Sequence, residues 1–135
     1  MALRWYTVVI DCRDVRAQAR WWAEALDWTL VYDTDEEAVI VPPHAAQEER
    51  IPADRWASSA PGLVFVQVPE DKTVKNRLHL DLAPHTSQDR DAEIQRLLEM
   101  GARRASVGQH PDTVSWEVLA DPEGNEFCVL SSRDR

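Results

Sequence analysis

At 135 residues, with 44% hydrophobic and 29% charged side chains, the chain suits one domain with its own core and is too apolar for global disorder. A formal net charge of -9 excludes the basic footprint that nucleic-acid phosphates demand, and it is compatible with a cationic ligand. No apolar run approaches the roughly eighteen residues of a membrane span, so no membrane partner is expected.

Residues 1–6 lack the apolar region of a signal peptide and lead straight into a strand, so a cytoplasmic location is expected. Residues 4–12 are rich in aromatic and β-branched side chains, with Val8, Ile10 and Cys12 on one face and Thr7, Val9 and Asp11 on the other. Asp14 is placed to cap a helix in which Val15, Ala19, Trp22 and Leu26 recur at helical spacing. Trp21 and Trp22 are consecutive, so one of them is expected at an edge or a subunit contact. Residues 28–32 and 38–41 read as two short strands around the acidic turn 33–37. Residues 42–62 hold four prolines and no periodicity, the mark of a long loop with Trp56 as its one large apolar anchor. Residues 63–68 form a strand, with Val64, Val66 and Val68 opposed to Leu63, Phe65 and Gln67.

After a charged connector, residues 76–82 alternate Leu78, Leu80 and Leu82 with His79 and Asp81, the period-2 pattern of a half-buried strand. An imidazole and a carboxylate therefore point the same way from one strand. Thr86 or Ser87 is read as the cap of a second helix, with Asp89, Asp91 and Glu93 in its first turns, Ile94, Leu97 and Leu98 as its stripe and Gly101 just past its end. Residues 114–119 and 126–130 are strands about the turn Asp121-Pro122-Glu123-Gly124-Asn125. Residues 131–135 are a polar tail. Cys12 and Cys128 have no CxxC spacing and read as buried or site-lining thiols rather than a disulfide. His44, His85 and His110 fall in loop-like, solvated segments.

Strand, capped helix and several short strands thus occur twice, once before Pro69 and once after it. Ile10-Asp11-Cys12 and Leu80-Asp81-Leu82 occupy matching places. The order predicts an α+β fold of two βαβββ modules, 1–69 and 75–132, in a single domain spanning 1–135.

The chain resembles the vicinal oxygen chelate superfamily of glyoxalases, bleomycin-resistance proteins and extradiol dioxygenases, and within it the small glyoxalase-like domains. The residues that carry this are Val9-Ile10-Asp11-Cys12 followed by 21–26, Val68-Pro69-Glu70, residues 75–82 and residues 119–130. The resemblance implies a cupped mixed sheet with helices on the outer face and a small-molecule site in the cup. It also implies metal ligands on the first and last strand of each module, here Thr7, Gln67, His79 and Cys128. Only His79 of these is a strong ligand, and the set matches no common site, so no resident metal or other cofactor is expected.

The cup-lining set expected from sequence is His79, Gln67, Phe65, Thr7, Trp116, Trp56 and Cys128, an aromatic wall suited to a planar or cationic ligand. No nucleophile motif, phosphate loop or H-E-x-x-H is present, and no catalytic residue is assigned. The leading expectation is a small-molecule-binding protein with a degenerate metal site, sequestering a drug or metabolite. The alternatives are a metal- or His79-dependent lyase, isomerase or dioxygenase, and a structural or regulatory protein. A homodimer is expected from the resemblance and from the six tryptophans.

Overall fold

The first strand, β1 (Thr7–Cys12), runs into Asp14, whose carboxylate accepts from the Ala17 N–H and starts helix α1 (Val15–Leu26). The computed structural model describes residues 3–105 and 116–135, which form two compact units, Met1–Asp71 and Lys72–Arg135. The first unit continues through β2 (Thr29–Asp33), β3 (Glu37–Val41), the short helix α2 (Pro43–Ala46), a 3-10 turn at Ala53–Arg55 and β4 (Gly62–Gln67). The second contains β5 (Asp81–Leu82), α3 (Arg90–Glu99), β6 (Arg103–Arg104), β7 (Glu117–Ala120) and β8 (Glu126–Val129). Each unit is therefore βαβββ, and the mixed α+β architecture is the one expected from the order of elements.

The strand orders are the same in both units: β1-β4-β3-β2 and β5-β8-β7-β6. In each, the first strand runs parallel to the last, and the remaining neighbours are antiparallel. The parallel pair requires a long crossover, and the helix with two strands supplies it.

In the first unit, helix α1 packs on β3 and β4. Ala38, Ile40, Leu63 and Phe65, on one face of those strands, are buried to 4% exposure or less. Trp21 and Trp22 are both buried, against the expectation that one would lie at an edge or subunit contact. Their rings meet edge to face at 5.1 Å, a geometry that lets adjacent positions on the wheel share one buried stripe. The opposite face of the sheet, with Val9, Val39, Val64 and Val66, stays partly open. In the 42–62 loop, Trp56 is half-buried under the Arg4 guanidinium, 5.0 Å from its ring centre.

The second unit departs from expectation in several places. Residues 76–82 do not form one strand: only Asp81–Leu82 pair with β8, and Leu78 is 85% exposed. The cause lies upstream, where Glu126 takes hold of the connector. Its carboxylate accepts from Lys72 Nζ and the Asn76 N–H, and its carbonyl accepts from Asn76 Nδ2. The chain joins the ladder only at Leu80, whose carbonyl accepts from the Cys128 N–H.

The cap of α3 is Asp89, which accepts from the Ala92 N–H, in place of Thr86 or Ser87. Ser87 is engaged by His85 Nδ1 at 2.7 Å instead. Gly101, with φ of +110°, follows the helix in the left-handed region that glycine tolerates. β6 had no sequence signal, since Arg103–Arg104 is an exposed two-residue edge. β7 starts at Glu117; of the expected strand 114–119, positions 114 and 115 lie outside the described residues, as does His110. The C-terminal stretch is more than a tail, because Arg133 bridges to His85.

The capping assignment has a direct test. Asp89→Ala should lower unfolding free energy by about 1 kcal/mol in urea titration, while Thr86→Ala should leave it within about 0.5 kcal/mol.

Candidate functional site

The parallel pair β5/β8 places Asp81 opposite Cys128, and the antiparallel pair β7/β8 places Val118 on the other side of Cys128. Facing residues in register share a face, so Asp81, Cys128 and Val118 lie on one side of this sheet. Strand alternation puts Glu126 and Ala120 on that side too, and Trp116 if it is carried one residue back from β7. The opposite side takes Leu119, Phe127 and Val129, all buried, and matches the buried stripe of Ile94 and Leu97 on α3.

His79 approaches the Asp81 side of this sheet from the tethered connector. Its Nε2 lies 3.1 Å from Asp81 Oδ1, and the two side chains are 47% and 48% exposed. For this contact to be a hydrogen bond, Nε2 carries the proton. Cys128 is buried, and one donor atom from each of His79, Asp81 and Cys128 lies within 4.8 Å of the others.

The electrostatics of the trio centre on Asp81. Burial pushes the Cys128 thiol pKa up; the Asp81 charge and the thiol's hydrogen bond to that carboxylate push it further, while Lys75 pulls it down. The net direction is upward, so the group rests as a neutral thiol that donates to Asp81. Beside it, burial pushes Glu126 up. Hydrogen bonds from its own N–H and that of Asn76, then the hydrogen bond and charge of Lys72, outweigh it, and its pKa lies below the ordinary value.

Of the residues expected from sequence, His79 and Cys128 are brought together, and Asp81 joins them. Trp116, 37% exposed, belongs to the same unit. Thr7, Gln67, Phe65 and Trp56 belong to the first unit. Phe65 is fully buried on the closed face of its sheet, shut off from any ligand. Gln67 follows it on the same face at the strand end, and the Thr7 hydroxyl donates to Gly62 O at 3.1 Å.

The repeat corrects which first-unit positions correspond to the trio. The Val68 N–H donates to Cys12 O as the Leu130 N–H donates to Leu82 O, and Asp11 faces Val66 as Asp81 faces Cys128. The counterparts of His79 and Cys128 are therefore Val9 and Val66, not Thr7 and Gln67. The spacing to the helix cap differs between the units: Asp14 follows Asp11 by three residues, whereas Asp89 follows Asp81 by eight. Val9 and Val66 offer no donor atoms. A metal held by paired His, Glu or Gln ligands from both modules does not fit this chain.

The model of the glyoxalase-like domain family matches residues 7–130. No curated protein matches. Among solved structures, a glyoxalase/bleomycin resistance protein/dioxygenase family enzyme from Burkholderia phytofirmans PsJN is 14% identical with a TM-score of 0.67, covering 96% of this chain and 98% of that one. A glyoxylase/bleomycin resistance protein/dioxygenase domain from Frankia sp. EAN1pec is 19% identical, with a TM-score of 0.59 and coverage of 94% and 95%. The fosfomycin resistance protein FosX from Mesorhizobium loti is 14% identical, with a TM-score of 0.62 and coverage of 92% and 87%. At these identities the likeness is one of fold.

Two measurements probe the site's electrostatics. With metal stripped by chelator, Asp81→Asn should speed alkylation of Cys128 at pH 8, followed by peptide mass, because removing the anion lowers the thiol pKa. An equal or slower rate would contradict the role given to Asp81. Glu126→Gln should cost about 1.5–3 kcal/mol at pH 7, the worth of hydrogen bonds to a charged group. Because the native pKa of Glu126 is depressed, its contribution is present above the ordinary carboxylate value of about 4.3. It is lost as pH falls through the lowered native value, so the wild-type advantage in urea unfolding should shrink there.

Proposed function

Because the chain belongs to the glyoxalase-like domain family of the vicinal oxygen chelate group, we propose that it binds a small molecule at His79, Asp81 and Cys128 of its second unit. The observation that carries this reading is the double role of Asp81, which accepts from both the imidazole and the thiol. A thiol held neutral is a poor nucleophile, and an imidazole turned to a carboxylate is an oriented hydrogen-bonding group. Both favour recognition over covalent chemistry. Half-exposed His79 and Asp81 offer polar contacts, and Trp116 offers an aromatic surface.

Relative to the family's two-module ligand pattern this is a degenerate metal site, since Val9 and Val66 stand where further donors would be. Sequestration of a drug or metabolite needs affinity without turnover, and the resistance named for one structural neighbour is consistent with that class of ligand. A homodimer and a cytoplasmic location belong to the same reading; among the described residues no helix is long and apolar enough to cross a membrane.

A second reading has one observation in its favour. The His79–Asp81 contact is the geometry by which a carboxylate orients a general base. Under it, the chain is a His79-dependent lyase or isomerase.

The two readings separate in a thermal-shift screen of metabolites and antibiotics, with bleomycin and fosfomycin among them. A true ligand at about 100 times its Kd adds about 2.7 kcal/mol to stability. The shift should vanish in His79→Ala, and mass spectrometry should recover the ligand unchanged. Recovery of a product would sink sequestration in favour of the enzyme, and a shift indifferent to both His79 and Cys128 would move the site elsewhere.

A further inference from the structure

Among the arginines of the first unit, Arg4 is set in unusual surroundings. Arg13, Arg16, Arg20 and Arg55 each reach a carboxylate, of Asp71, Asp35, Asp33 and Glu48 respectively, and Arg50 is exposed. Arg4 is half-buried and forms no ion pair with a described residue. Its guanidinium carbon lies instead over two aromatic rings, 5.1 Å from the centre of Tyr6 and 5.0 Å from that of Trp56. We propose that this guanidinium is a site for the carboxylate of a small aromatic acid, held beside the Tyr6 and Trp56 rings. This goes beyond the small-molecule reading at His79 and does not rest on it.

Charge supports the site first. A cation drawn partly out of water is costly unless paired, and contacts with ring faces return only part of that cost. The 42–62 loop does carry a carboxylate, but Glu48 is taken by Arg55. The chain has 24 acidic residues and a net charge of -9, yet among the described residues it gives Arg4 none of them. An external anion fills that place. One guanidinium matches one negative charge, whereas a phosphate ester, close to dianionic at neutral pH, calls for more cations than this site offers.

Donor geometry supports it next. One hydrogen bond holds the guanidinium, from Nη2 to Ala60 O at 2.9 Å, and ties it to the end of the 42–62 loop. Nε is sealed from solvent with no partner among the described residues. Nη1 has none among them either, and it is not sealed. A carboxylate can therefore be met by Nη1 through a charge-assisted hydrogen bond. The side chain is already positioned, so little rotamer freedom is lost on binding.

The surroundings set the rest of the ligand. Leu3, Trp5 and Tyr6 are 93%, 65% and 64% exposed. Large apolar side chains clustered in solvent beside a fixed cation are the mark of a recognition surface, and the aromatic rings among them suit a planar ring on the acid. The Tyr6 carbonyl accepts from the Gly62 N–H, so the backbone ladder of β1 and β4 extends to this residue.

The test uses the full chain with benzoate as probe, benzamide as its neutral isostere and inorganic phosphate as competitor. Calorimetry should give one benzoate per chain with a Kd of about 1 mM or tighter. Benzamide should bind at least about tenfold more weakly, and phosphate at equal concentration should not compete. Arg4→Lys should weaken benzoate binding at least about tenfold, because an ammonium keeps the charge and loses the planar edge. Arg55→Lys should leave it unchanged. Phenylglyoxal modification followed by peptide mass gives a second readout on the wild type: Arg4 should react in ligand-free protein and be protected by benzoate. The proposal is overturned by absence of binding at about 10 mM benzoate, by equal binding of benzamide, by full competition from phosphate, by indifference to Arg4→Lys or by an equal loss in Arg55→Lys. An Arg4 that resists phenylglyoxal without ligand is already covered, by a second copy or another segment of the chain, and that overturns the site as well. Should Arg4→Lys fail to fold by circular dichroism, wild-type protection decides, and no protection overturns the site.

Discussion

Parallel pairing between the first and last strand of each unit is the constraint on which the rest depends. A parallel ladder cannot be closed by a tight turn, so a helix and two strands must intervene before the chain returns. That return brings Asp81 against Cys128 and Asp11 against Val66, pairs far apart in sequence and fixed in register by backbone hydrogen bonds. Because side chains alternate across a strand, one residue of slip would have turned Cys128 away from Asp81 and Phe127 towards it. The site is therefore a property of the ladder before it is a property of any side chain.

The same ladder explains how two units of identical topology came to differ. In the first, the open face of the sheet carries Val9, Val39, Val64 and Val66. In the second, the positions of Val9 and Val66 carry His79 and Cys128, while Asp81 takes the place of Asp11. The carboxylate is kept in both units; the imidazole and the thiol stand beside it in one. Asp121 serves the second unit in another way. Almost wholly buried, it is satisfied by the N–H groups of Glu123 and Asn125, and so closes the turn that sets β7 against β8.

Much of the fold was legible because local signals agreed with tertiary ones. Asp14 before a periodic apolar run, residues 63–68 as a β-branched run and the Asp121–Asn125 turn each state their structure within a few residues. What escaped reading depended on partners distant in sequence. The alternation of residues 76–82 pointed to a strand, but Leu78 is exposed because Glu126 holds Lys72 and Asn76 and delays entry to the ladder. Asp89 outcompeted Thr86 and Ser87 as a cap once His85 had engaged Ser87. Asp81 was visible as a carboxylate beside His79, yet its second partner, Cys128, arrives only through the crossover. Phe65 shows the reverse error: an aromatic on a core strand resembles a pocket wall until α1 is laid over it.

Glu126 carries a consequence for recognition. By gripping Lys72 and Asn76, it fixes the connector that delivers His79, three residues further on. A mobile strap would have to be ordered each time a ligand arrived, and the lost freedom would be charged against affinity. Here the ordering is completed during folding, so the imidazole is preorganised and a ligand meets it already aimed. Affinity in this unit is thus set partly by a carboxylate that need never touch what is bound.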